Sequence, residues 1–190
     1  TPEQIAELVQ YSRFAPTGSR GYFSVSRALK YGMVDNVAEE QGRLNTELSL
    51  LVQVETAAAL ARVEELAAVP GIDIFIGPSD LAASLGVAGK TSHPKVLAAG
   101  QRIITAARQH GKKIVTACSA ADYIHWTRMG VDVLFCTNDI ACLKMGSQTA
   151  MKAANEAVAQ AAKESDLFNM AEAGRLPLES DIDRRAAEAE

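Results

Sequence analysis

The sequence predicts an α/β fold built on parallel strands. Three observations carry this. Short apolar runs rich in β-branched residues recur at 48–55, 72–77, 112–118 and 131–136. Runs of that kind suit strands buried on both faces. A pattern of helical period follows each run, as parallel connections require. Two of the runs, Leu50-Leu51-Val52-Gln53-Val54-Glu55 and Ile72-Asp73-Ile74-Phe75-Ile76-Gly77-Pro78-Ser79-Asp80, lead into carboxylates.

The elements follow in order. Thr1-Pro2-Glu3 opens a helix with a capping residue and a proline in the first turn. Ile5, Leu8, Val9 and Ser12 form its inner stripe. Residues 13–30 read as a loop, with Pro16, Gly18 and Gly21 as turn residues. Arg20 and Arg27 in that loop read either as anion or partner contacts or as ordinary surface ion pairs. Residues 32–46 read as a short polar helix or lid. A strand over 48–55 precedes an alanine-rich helix over 57–68, in which Ala58, Leu60, Val63 and Leu66 are available for packing. Pro70-Gly71 ends it. A strand over 72–77 leads into a short helix over 78–85 and a glycine-containing loop over 86–92. His93-Pro94 starts a helix that His110-Gly111 closes. After the strand over 112–118, Ser119 and Asp122 form a loose capping box. His125 and Trp126 on the helix that follows read as surface and packing. The strand over 131–136 ends at Thr137-Asn138-Asp139, where Asp139 reads as a helix cap or a third polar contributor. A long helix over 140–163 follows. Residues 1–163 are expected to be one domain, and residues 164–190 a helical arm or tail.

Side chains alternate along a strand, so Gln53 and Glu55 share one face at the C-terminal end of theirs. Ligands of parallel α/β folds sit at that end. Glu55 and Asp80 are therefore expected to converge on one spot. Two carboxylates without a basic partner suit a hard divalent cation, which Mg²⁺ exemplifies: oxygen ligands, retained waters, few protein ligands. Gly77 permits a close backbone approach. Pro78 suits a first helical position, and the amides of Ser79, Asp80 and Leu81 would then face an anion such as a carboxylate. The competing reading makes Glu55 and Asp80 helix caps and Gln53 a satisfied interior amide. His93 reads as structural or as an interface residue.

The chain has 190 residues, 48% of them hydrophobic, enough for one sizeable core. The formal charge is −4, and basic residues do not cluster as a nucleic-acid surface requires. No apolar run reaches membrane-spanning length, and no signal-peptide pattern opens the chain. Cys118, Cys136 and Cys142 are odd in number and lack metal-site spacing, which suggests reduced thiols and a cytoplasmic protein.

Leu51-Val52-Gln53-Val54-Glu55-Thr56 and Phe75-Ile76-Gly77-Pro78-Ser79-Asp80-Leu81 resemble paired motifs of the HpcH/HpaI aldolase family. Gly86-Val87-Ala88-Gly89, His93-Pro94 and the turn Arg13-Phe14-Ala15-Pro16-Thr17-Gly18-Ser19-Arg20-Gly21 extend the resemblance, which runs to about Ala162. Tyr22-Phe23-Ser24-Val25 is bulkier than the family pattern. The resemblance implies a TIM (β/α)₈ barrel of which this chain covers about the last four β/α units. A chain that opens on a helix cap with no strand before it is expected to be the later part of such a barrel. The implied activity is a class II pyruvate aldolase. It would reversibly cleave 4-hydroxy-2-oxo acids to pyruvate and an aldehyde, with a divalent metal (Mg²⁺, Mn²⁺ or Co²⁺) as Lewis acid. Glu55 and Asp80 would be the metal ligands, with Gln53, Gly77, Ser79 and Asp80 lining the substrate. The family's general base and its pyruvate-binding arginine are expected outside this chain. The resemblance also implies a homo-oligomer, typically a hexamer. The alternatives are an acyl-CoA ester lyase of the citrate lyase beta type and a non-catalytic binding or assembly module.

Overall fold

The computed structural model describes residues 1–172. It divides into two units, Thr1–Thr137 and the segment from Asn138 onward. The first unit is an open parallel sheet of four strands in chain order: β1 (Leu51–Val54), β2 (Asp73–Ile76), β3 (Ile114–Ala117) and β4 (Val133–Phe135). Each strand is shorter than its apolar run. Asp73 and Asp132 explain where β2, β3 and β4 begin. The Asp73 carboxylate accepts the Lys113 amide at 2.9 Å, and Asp132 accepts the Ile114 amide at 2.7 Å, so side chains replace ladder bonds there.

The register sets Val52 beside Ile74, Val54 beside Ile76 and Thr116 beside Leu134. These residues face the helices. Val54, Ile74, Ile76, Ile114 and Thr116 are wholly buried, and the Thr116 hydroxyl donates to the Ile76 carbonyl at 2.9 Å. The opposite face carries Leu51, Gln53, Phe75, Val115, Ala117, Val133 and Phe135, in register across the sheet. Leu51, Val133 and Phe135 are exposed, and the Phe75 and Phe135 rings lie 5.6 Å apart.

Helix α1 (Pro2–Ser12) has a full capping box, Thr1 with Gln4. Of its predicted inner stripe Ile5 is buried, while Leu8 stays exposed. The polar segment forms α2 (Val37–Glu47), capped by Asn36, and a turn of tighter helix at Arg27–Gly32 stands where a loop was expected. The alanine-rich segment is two helices rather than one, α3 (Ala57–Ala61) and α4 (Val63–Ala68). The Arg62 amide bonds to Ala59 three residues back, and the break turns Val63, Leu66 and Ala67 into the core. Next come α5 (Pro78–Ser84) and α6 (Pro94–Gln109), which packs on α4 and β2. Gly100 of α6 is held to glycine by Trp126. A Cβ there would sit 2.9 Å from the indole, which is itself buried on α7 (Tyr123–Met129). The capping box at Ser119 is not formed. Its hydroxyl donates to the Asp122 carboxylate instead, and a short 3₁₀ turn over Ala120–Asp122 precedes α7.

The second unit is α8 (Asp139–Glu172), nine residues longer at its C-terminal end than predicted, so its helix takes in residues 164–172 of the expected tail. The rest of that tail, 173–190, lies outside the described residues. The Asn138 carboxamide accepts the Ala141 amide, leaving Asp139 as the first helical residue. No helix among the described residues is long and apolar enough to cross a membrane.

Candidate functional site

β1 and β2 end side by side. The pairing of Val54 with Ile76 makes Glu55 and Gly77 the next neighbours along the ladder, and the Gly77 amide bonds to the Val54 carbonyl at 3.4 Å. The packing here is close. A Cβ on Gly77 would lie 2.5 Å from Glu55 Oε2 and 2.8 Å from Gln53 Nε2. Real Cβ atoms do not approach that far, so the strand end needs glycine for proximity and not for an unusual backbone angle.

Pro78 is the first residue of α5, as expected, and Asp80 sits in its first turn. The amide of Leu81 is already committed to the Gly77 carbonyl at 2.9 Å, which corrects the expectation of three outward amides: Ser79 and Asp80 supply the first-turn donors. Both side chains are exposed.

Glu55 is half-buried, and its Oε2 is fully shielded from water with no hydrogen-bond partner. Burial pushes its carboxyl above the ordinary carboxylate range, and the neighbouring Asp80 charge pushes it the same way. The Gln53 amide acts in the opposite sense. None of the ion pairs among the described residues uses Glu55 or Asp80. Two converging carboxylates, one with an orphaned buried oxygen and no protein cation beside them, fit a small divalent ion. Among the described residues no group of three or more His, Cys, Asp and Glu side chains is placed to hold a metal ion. Such an ion would therefore have two protein ligands, with waters or substrate oxygens completing its shell.

The remaining candidates lie elsewhere. His93 caps α6, its Nδ1 accepting the Lys95 amide at 3.2 Å. His125 is exposed on α7. Arg20 stacks over the Phe14 ring at 4.6 Å, and Phe14 is bound in turn by Asn45, which accepts its amide at 2.7 Å and donates to its carbonyl at 2.9 Å. Two supports escaped the sequence. The Ser84 hydroxyl accepts the Ala57 amide at 2.8 Å, tying the end of α5 to the start of α3. Asp122 accepts from Ser92 and Ser119, both at 2.9 Å, which anchors the loop leaving α5. Serine and aspartate near helix ends have too many ordinary local partners for either bond to leave a sequence signal.

Fold and site together define a parallel α/β protein of the barrel type that presents a carboxylate pair at the C-terminal ends of adjacent strands. The chain belongs to the HpcH/HpaI aldolase/citrate lyase family, whose sequence model matches residues 1–128. A hydroxypyruvate/pyruvate aldolase of Sagittula stellata is 51% identical over 100 residues, 52% of this chain and 38% of that protein. A 5-keto-4-deoxy-D-glucarate aldolase of Klebsiella pneumoniae is 36% identical over 150 residues, 78% of this chain and 57% of that protein. The chain thus spans about half the length of the curated relatives it matches. Among solved structures, a family member from Burkholderia cenocepacia superposes with a TM-score of 0.71 at 32% identity, covering 82% of this chain and 62% of that one. An HpcH/HpaI aldolase from Desulfitobacterium hafniense gives 0.73 at 28% identity, covering 82% and 61%. The expected barrel-type fold is the observed one, and the described residues carry four of its strands.

Proposed function

We propose that this chain supplies the metal-binding and carboxylate-binding part of a class II aldolase that reversibly cleaves 4-hydroxy-2-oxo acids to pyruvate and an aldehyde. The observation that carries the reading is the orphaned, buried Oε2 of Glu55 beside Asp80 with no protein cation to neutralise either. Glu55 and Asp80 hold a divalent ion, Mg²⁺, Mn²⁺ or Co²⁺. That ion, when bound, supplies Lewis-acid polarisation of a 2-oxo acid. Gln53 orients the Glu55 carboxylate. Gly77 keeps the strand end open, and the amides of Ser79 and Asp80 receive the substrate carboxylate. Family membership and the names of the relatives support the reaction class.

We read the protein as a homo-oligomer, the hexamer of the family. The exposed Ile140, Leu143, Met151 and Val158 along α8 support an assembly surface.

The test is pyruvate release from a 4-hydroxy-2-oxo acid by the intact protein. It is chelated first and then given Mn²⁺ or Mg²⁺, and compared with Glu55→Gln and Asp80→Asn. Restoration by metal in the wild type alone supports both ligand assignments. Metal-restored turnover in either variant removes that residue from the ligand set.

A further inference from the structure

A second cluster of reactive groups lies outside the carboxylate site, at the ends of β3 and β4. The ladder between these strands closes on the pair Ala117 and Phe135, so the next residues in register are Cys118 and Cys136. Alternation puts both on the helix-facing side of the sheet, the side of Thr116 and Leu134. Neighbouring strands run about 4.8 Å apart. A disulfide spans Cα separations of about 4.4–6.8 Å.

The surroundings make the two thiols unequal. Cys118 is half-buried against the core, whereas Cys136 is exposed. Burial pushes the Cys118 thiol up, with Asp122 and Cys136 adding to it. Tyr123 donates its hydroxyl to the Cys136 carbonyl at 2.7 Å, which ties the end of β4 to the start of α7, five residues after Cys118.

We infer that Cys118 and Cys136 are a thiol pair that closes to an intramolecular disulfide when the protein meets a small-molecule disulfide oxidant. Cys136, as thiolate, attacks one sulfur of the oxidant. This forms a mixed disulfide and expels one thiolate. Cys118 then attacks the Cys136 sulfur and expels the second, which takes up the Cys118 proton. Two cysteines lose two electrons, and one oxidant disulfide becomes two thiols. Exposure makes Cys136 the entry point, and its shielded position makes Cys118 the resolving thiol. The product links the segment entering α7 to the end of β4.

The experiment uses oxidised glutathione on the intact protein, then alkylation under denaturing conditions and peptide mass mapping. The expected result is a Cys118–Cys136 cross-linked peptide, with Cys142 alone among this chain's three thiols left to alkylate. Cys118→Ser is expected to hold glutathione at Cys136 as a stable adduct, and Cys142→Ser to cross-link as the wild type does. A wild-type protein that keeps glutathione on Cys136 with Cys118 still free overturns the inference. So does a link from Cys142 to either partner. Thiol mapping reads neither metal nor turnover, so its outcome is independent of the aldolase reading.

Discussion

Replacing Glu55 by glutamine separates a metal ligand from a structural carboxylate. The side chain keeps its shape and loses its charge. In the metal-free wild type, Oε2 is buried without a partner, and Asp80 adds like charge. The folded-state value of Glu55 therefore lies above its ordinary 4.5. For an acid shifted upward, the ionised form costs stability once pH exceeds the folded value, and the cost disappears below the unfolded one. A buried oxygen left without a partner costs more as a charged carboxylate than as a neutral amide, by about 1 kcal/mol at a half-buried position. Glu55→Gln is expected to make the chelated protein more stable at pH 7 by about 1 kcal/mol.

Metal reverses the order. A ligand at one hundred times its dissociation constant stabilises the native state by about 2.7 kcal/mol. In a domain of this size each kcal/mol moves the melting temperature by roughly 2–4 °C. Adding Mn²⁺ to the chelated wild type should raise it by about 5–11 °C, and adding it to Glu55→Gln should do almost nothing. Thermal unfolding with chelator and with Mn²⁺ reads all four values. Two results refute the reasoning. One is a metal-free variant clearly less stable than the metal-free wild type. The other is a variant that gains as much from Mn²⁺ as the wild type does.

Three further outcomes follow from contacts already described. Gly77→Ala places a Cβ 2.5 Å from Glu55 Oε2, so it should abolish the Mn²⁺-dependent rise in melting temperature while costing the fold about 1–3 kcal/mol; an unchanged rise would show that the carboxylate is not held there. Gly100→Ala drives a methyl into the buried Trp126 ring at 2.9 Å and should lower the urea midpoint by an equivalent of about 1–3 kcal/mol, with indole fluorescence as the reporter. Asp132 is pushed up by burial, but its bonds to Arg108 and the Ile114 amide outweigh this and hold it below its ordinary 3.8. Its contribution is therefore present above that value and lost as pH falls through the folded one. Asp132→Asn should cost about 1.5 kcal/mol at pH 7, with the gap to wild type closing in strong acid.

The strands, and the placement of Gln53 and Glu55 at the end of one of them, were legible because strand signals are periodic. Alternation put Gln53 and Glu55 on one face. The connections were less legible. Nothing in Ala57–Ala68 announces a break at Arg62, because the break answers to the core that Val63 and Leu66 must reach. Lys30 and Tyr31 adopt left-handed backbone, with φ of 49° and 57°, in a turn that buries Leu29. Neither residue type marks such a conformation in a sequence. The long α8 was undercounted although residues 164–172 contain neither glycine nor proline, because the rise in charged and polar residues there reads as a tail.

The requirement for Gly77 is created by register, not by turn chemistry. Its φ of −97° is one that any residue adopts. What forbids a side chain is that the Val54–Ile76 pairing sets Glu55 and Gln53 against it. A fold optimised for metal-free stability would relieve such a strand end, by placing a cation near Glu55 or by exchanging the buried carboxylate for an apolar residue. This chain does neither. It keeps Arg62, Arg102 and Arg108 paired with Glu65, Glu64 and Asp132, and leaves the Glu55 and Asp80 carboxylates facing each other. A buried carboxylate oxygen left without a partner beside a second carboxylate breaks the local rules that these ion pairs keep, as functional sites do, and the charge left unmatched here is the charge a divalent ion would balance.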